Sequence, residues 1–179
     1  ILISTSLVAC GDNGKKVESE KEVSNKTEAS TNDESKTGEV VEENGMKKIP
    51  VITDKKLNKK GESGPIKYNI KAIQVSKLTA TTDDMASALD VEKDKEVTLV
   101  AMDIEVENTS EKTISFYPDQ SEITTNTKEQ VSSEVFLSDS VGGDYIGKVK
   151  KSGTVFFILK NSSADDIDTI TYHVDAPCD

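Results

Sequence analysis

The chain holds 179 residues, with 33 Asp and Glu against 22 basic residues, and its formal net charge at pH 7 is −11. Every basic residue is Lys. An acidic chain with no Arg and no basic stripe excludes nucleic acid as the partner class. With no Trp, one His and two Cys, little is left for metal or nucleophilic chemistry.

Residues 1–9, ILISTSLVA, form an apolar run ending in small residues, followed by Cys10, Gly11 and polar sequence. A secretory signal ends an apolar run of roughly 7–15 residues at small residues. Leu7-Val8-Ala9-Cys10-Gly11 has the pattern of a bacterial lipobox. It predicts that residues 1–9 are a signal-peptide remnant, cut before Cys10, whose thiol is acylated and held on the extracellular face of the cell membrane. The basic n-region and initiator Met are missing, so the sequence reads as trimmed. No other stretch approaches the ~18 apolar residues of a membrane span. Stable lipid anchoring takes two signals, and a diacylglyceryl group brings two chains at once. The competing reading is a short buried strand, and the residues that follow offer it almost nothing to pack on.

Residues 10–63 comprise the lipidated Cys and a polar linker. Residues 11–65 carry 11 Lys and 12 acidic residues, a balanced polyampholyte and not a polybasic membrane clamp. Such a composition cannot bury enough apolar surface to offset its ordering entropy, so disorder is expected. The single apolar knot, residues 46–52, is read as linker, with a short strand or docking patch as the alternative. As a coil, ~50 residues span on the order of 40 Å.

Periodic pattern begins near residue 64 and runs to 179, about the size of one domain. Ile66, Tyr68, Ile70 and Ala72 alternate with polar residues, and Ile73 and Val75 continue out of phase, which predicts a strand with a bulge near Ala72. Thr82 or Asp83 is placed to cap a short helix burying Met85 and Leu89. Residues 97–107 form the longest strand, with Val100, Met102, Ile104 and Val106 on one face. After the Asn108-Thr109-Ser110 turn come a strand at 114–117, a hairpin around residues 126–129, a loop at 138–144 and a turn at 150–153. The apolar run 154–159 and a closing strand with Ile170, Tyr172 and Val174 complete the chain. About seven short strands with regular turn signals predict an all-β fold, an immunoglobulin-like antiparallel β-sandwich.

This order of elements resembles a family. Val106-Glu107-Asn108-Thr109-Ser110, the strand Ile114-Ser115-Phe116, the run Lys151 to Phe157 and Ile170-Thr171-Tyr172 are similar to the lipoprotein domain of unknown function 4352, or a close sister family. The resemblance covers about residues 64–178. It implies an immunoglobulin-like sandwich on the surface of Gram-positive bacteria, similar to a secreted mycobacterial antigen, and it offers no catalytic residues to carry over.

Candidate chemistry is thin. His173 shares a strand face with Asp175, but no G-x-S-x-G elbow supplies a nucleophile. Asp90, Glu92, Asp94 and Glu96 lack the Gly of a Ca²⁺ loop and interleave with Lys93 and Lys95. For these and for Asp165, Asp166 and Asp168, solvated loops are expected. Asp103, Glu105 and Glu107 lie about 7 Å apart on one strand face, a spacing that formally suits inverting glycoside hydrolysis, but no aromatic platform accompanies them. No enzyme, cofactor or metal is therefore expected. Cys178 is left alone if Cys10 is lipidated. Tyr145, in the loop Gly142-Gly143-Asp144-Tyr145, is expected to form a contact surface with Tyr117, in competition with Tyr145 packing on the core edge. The function expected is a lipid-anchored extracellular binding or accessory module, with a protein or cell-wall partner. The alternative is an envelope-assembly or structural protein acting through an exposed sheet edge.

Overall fold

The computed structural model describes residues 2–8 and 38–178. Cys10 lies outside them. Among the described residues 57% lie in strands and 8% in helices, arranged as an all-β sandwich.

Two long antiparallel strands, β5 (Ile66–Ala80) and β6 (Glu96–Asn108), form the centre of the larger sheet. The out-of-phase pattern at Ala72 is a bulge: the β5–β6 register shifts between Ile70 and Ala72. This keeps Ile66 and Ile70 on the same inner face as Ile73 and Val75. Strand β11 (Lys150–Leu159) pairs along the other side of β6. The far edge of β5 is shared by β3 (Met46–Asp54), which takes residues 73–80, and β4 (Lys59–Ser63), which takes residues 66–70. Strand β2 (Val41–Glu43) borders β3. Pro50 lies at a register shift in β3, where its missing N–H is tolerated.

The smaller sheet runs in the order β1 (Leu2–Val8), β12 (Thr169–Asp175), β8 (Glu122–Thr125) and β9 (Gln130–Ser132). Its β1–β12 pair is parallel. A two-stranded ribbon, β7 (Thr113–Phe116) with β10 (Gly143–Ile146), completes the molecule. The main core joins β5, β6 and β11 to Ile123, Ile170, Tyr172 and Val174 of the smaller sheet and to Phe116 and Tyr145 of the ribbon. Each large apolar side chain buried there contributes roughly 1.5–3 kcal/mol.

A second cluster forms on the outer face of the larger sheet, from Leu78, Leu99 and Ile158 with Leu89 and Val97. This explains the dense apolar run in β11. Val155, Phe157 and Leu159 fill the main core, while Phe156 and Ile158 pack outward. Helix α1 (Asp83–Ala88) covers this cluster; Thr82 caps it by accepting a hydrogen bond from the Met85 N–H at 3.3 Å.

Two expectations are corrected. Residues 41–63, assigned to the linker, hold β2, β3 and β4: β3 and β4 pair with the edge of β5, β2 pairs with β3, and the apolar knot at 46–52 is a strand, the alternative its sequence allowed. Residues 150–153, read as a turn, open β11. Gly153 is needed there because a Cβ would lie 2.5 Å from the Asp139 Cβ of the loop above it.

Candidate functional site

The residues singled out from the sequence fall into different environments. Tyr145 is fully buried, paired across the ribbon with Ile114. Its hydroxyl donates to the Val141 carbonyl at 2.5 Å, and the Lys151 ammonium lies 4.5 Å over its ring while donating to the Gly142 carbonyl at 2.8 Å. The loop expected to bind is thus fastened to the core by its own aromatic, and Tyr145 offers no surface to a ligand. Tyr117 is 44% exposed and remains available. Cys178 is free and exposed, its backbone bridged to Ser115.

The charged candidates are held by structural partners. Asp103 accepts from the Thr154 hydroxyl at 2.8 Å. Glu105 lies between Lys150 at 3.2 Å and Lys71 at 3.3 Å, and their hydrogen bonds, Lys150 first, pull its carboxyl below the usual glutamate range. Asp90 pairs with Lys160 at 2.6 Å, and Asp165 with Lys77 at 2.6 Å. His173 shares a 2.9 Å hydrogen bond with the Thr124 hydroxyl. Among the described residues no group of three acidic, His or Cys side chains is placed to hold a metal ion, and no helix is long and apolar enough to cross a membrane.

Sequence reasoning missed Asp119. It follows Pro118 in a short 3-10 turn, is 9% exposed, and its Oδ1 has no hydrogen-bond partner. Tyr172 and Tyr145 are near enough to feel its charge. Burial first, with Asp119 adding, pushes both phenols well above the ordinary tyrosine range. A lone Asp after a strand gives no signal for this in sequence.

The surface best built for contact lies elsewhere, on the outer face of the larger sheet. An apolar cavity of about 200 Å³ opens there over Leu78, Leu99, Leu137 and Phe156, with Met46 and Val41 at one wall and Glu43 and Lys48 at the rim. The turn after β9 forms its border. The Glu134 N–H donates to the Phe156 carbonyl at 2.8 Å, the Phe156 N–H donates to Ser138 Oγ at 2.9 Å, and Ser138 Oγ donates back to the Glu134 carbonyl at 2.8 Å. Leu137 of this clamped turn lines the cavity, and its chain neighbours Phe136, 97% exposed, and Val135 stand in solvent. An apolar cavity with a charged rim, bordered by a turn that exposes apolar side chains, has the composition of a contact site. A second, wider cleft of about 510 Å³ is lined by charged residues, among them Lys60, Lys67, Glu105 and Lys150, and Lys150 spans Glu105 and Glu107 across it.

No protein-family model matches the chain, so the resemblance to the domain of unknown function 4352 gains no support from that side. The chain is similar to the SPbeta prophage-derived uncharacterized lipoprotein YonS of Bacillus subtilis (strain 168), at 28% identity over 151 residues, covering 83% of this chain and 66% of that protein. It spans just under two thirds of that relative's length. Its fold is similar to that of a functionally unknown protein from Listeria monocytogenes EGD-e, with a TM-score of 0.54 and 11% identity, over 67% of this chain and 70% of the other.

Proposed function

We propose that the protein is a non-enzymatic binding module, anchored by lipid on Cys10 to the extracellular face of a bacterial membrane, and that it recognises a protein partner through the Phe136 turn. The anchor is supported by Leu7-Val8-Ala9-Cys10 and by the likeness to a lipoprotein. Between Cys10 and β2 lie residues 11–40, whose polar composition suits a tether of about 30 Å as a coil. The all-β sandwich on that tether suits the immunoglobulin-like reading.

The observation that carries the binding role is Phe136. A side chain that large, 97% exposed on a turn held by three hydrogen bonds, costs solvation without adding to the core. Aromatic residues in this position are typical anchors of protein interfaces. In cells, a photo-crosslinking residue at position 136 is expected to give one discrete protein adduct that a crosslinker at exposed Glu111 does not give. Phe136→Ala, which leaves stability within ~0.5 kcal/mol as an exposed substitution, is expected to abolish capture from a crosslinker at Val135. Equal, diffuse labelling from positions 136 and 111 would refute the assignment.

A further inference from the structure

We infer that the outer edge of β12 is a strand-acceptor slot, emptied when the segment before Cys10 is removed and refilled by an extended segment of a different polypeptide running parallel to β12. The inference rests on the proposed cleavage before Cys10. In the structure the slot is filled by the chain's own β1, in continuous register from Leu2 opposite Thr169 to Val8 opposite Asp175. The Leu2 N–H donates to the Asp168 carbonyl at 3.1 Å.

Register parity says which backbone groups would be released. Thr171 and His173 lie opposite Thr124 and Glu122 of β8, and the Asn126 N–H donates to the Thr169 carbonyl. Residues 169, 171 and 173 therefore direct their backbone groups toward β8. Ile170, Tyr172 and Val174 direct theirs toward β1, in step with the Leu2 bond to Asp168. Cleavage would leave three N–H groups in a row on a sheet edge, a template for pairing that proteins normally keep covered.

The slot is also apolar. Ile3 is 6% exposed, belongs to the main core and pairs with fully buried Ile170. Strand β1 touches β4 as well as β12, so it lies between an edge of the smaller sheet and a strand of the larger one. Removing it would expose core as well as backbone. A replacement must be extended, parallel to β12, and carry a branched apolar residue where Ile3 lies; recognition by strand addition has these requirements. The remaining linker cannot serve, in this copy or another, because residues 11–37 hold only Val17, Val23 and Ala29 as apolar residues among charged and hydroxyl side chains.

The test compares protein extracted from membranes with the uncleaved chain carrying Cys10→Ser, after intact-mass measurement of each. In extracted protein whose native mass is that of the chain alone, with no bound partner, the amides of Ile170, Tyr172 and Val174 are expected to exchange with deuterium at least tenfold faster. A peptide of residues 1–8 is expected to restore their protection, and the same peptide with Ile3→Asp to fail at equal concentration. Protection unchanged in a chain that begins at Cys10 and carries no bound polypeptide, or no rescue by the peptide, would overturn the slot and leave the anchor standing. Protection that grows with protein concentration would place a second copy there and overturn the assignment to a different polypeptide. A membrane-extracted chain that keeps residues before Cys10 would overturn the slot and the cleavage together.

Discussion

Gly142→Ala tests how rigidly the loop before β10 is fitted against Asp119. Gly142 does not have a positive φ, so the backbone itself accepts Ala, and the loss of unfolded-state freedom should stabilise by about 0.4–1 kcal/mol. Against this, the added Cβ would lie 2.0 Å from Asp119 Oδ1 and 2.9 Å from its Cγ. Asp119 is 9% exposed and has little room to swing aside. Overpacking of this kind costs about 1–3 kcal/mol, so the clash wins and the net loss should be about 1–2 kcal/mol. For a domain of this size that is on the order of 3–5 °C in Tm per kcal/mol. Urea unfolding followed by far-ultraviolet circular dichroism reads the loss directly. In an Asp119→Ala background the opposing oxygens are gone, and Gly142→Ala should become neutral or slightly stabilising, a coupling that a double-mutant cycle isolates. Gly142→Ala at or above the parent stability in the unaltered background would refute the fit between loop and carboxylate.

Tyr145 and Tyr172 have phenols raised well above the ordinary tyrosine range, by burial first. Since the folded value exceeds the unfolded one, their contribution to stability is whole below pH ~10 and falls as pH rises beyond it. In an ultraviolet titration two of the four tyrosines should ionise only as the fold is lost; four equivalent phenols would contradict this. Glu105, lowered by Lys150 and then Lys71, favours folding above the ordinary glutamate range and loses that contribution as pH falls through its depressed value; carboxyl-detected NMR should show Lys150→Ala raising its titration midpoint. Asn108, fully buried, donates to the Lys112 and Tyr145 carbonyls and accepts from the Ser110 N–H and hydroxyl. Asn108→Ala should cost roughly 2–4 kcal/mol in chemical denaturation, at about 1 kcal/mol per bond plus the orphaned carbonyls; a loss under 0.5 kcal/mol would contradict the role.

Where one face of a strand is dry and the other wet, the sequence was legible. The bulge at Ala72 shows as a phase slip, the Thr82 cap as a hydroxyl before a polar helix start, and the β6 core face as unbroken alternation. The edge strands β2 and β4 were not legible, because an edge strand is stabilised by backbone pairing and needs few apolar residues to declare itself, while β3 showed only as the apolar knot at 46–52, where a short strand was the alternative. The opening of β11 was hidden because Lys150 to Gly153 has turn composition, while its conformation is fixed by pairing with Ile104 to Glu107. For the site, Tyr117 lies at the surface as expected, but Tyr145 in a Gly-rich context reads as exposed until the partner strand that buries it is known. Phe136 carries the converse difficulty: within Val135-Phe136-Leu137 nothing local says which residue turns inward. That choice is made by the Ser138 and Glu134 bonds to Phe156 on another strand.

The most direct measurement is the intact mass of the protein extracted from washed membranes, beside the fractionation of Cys10→Ser. A chain that begins at Cys10 and carries the mass of a diacylglyceryl group, with Cys10→Ser lacking it and failing to be processed, is the result expected of a lipid-anchored surface module. A membrane-associated chain that retains Ile1 to Ala9 and carries no lipid would contradict it, and would make β1 a permanent strand of the sandwich.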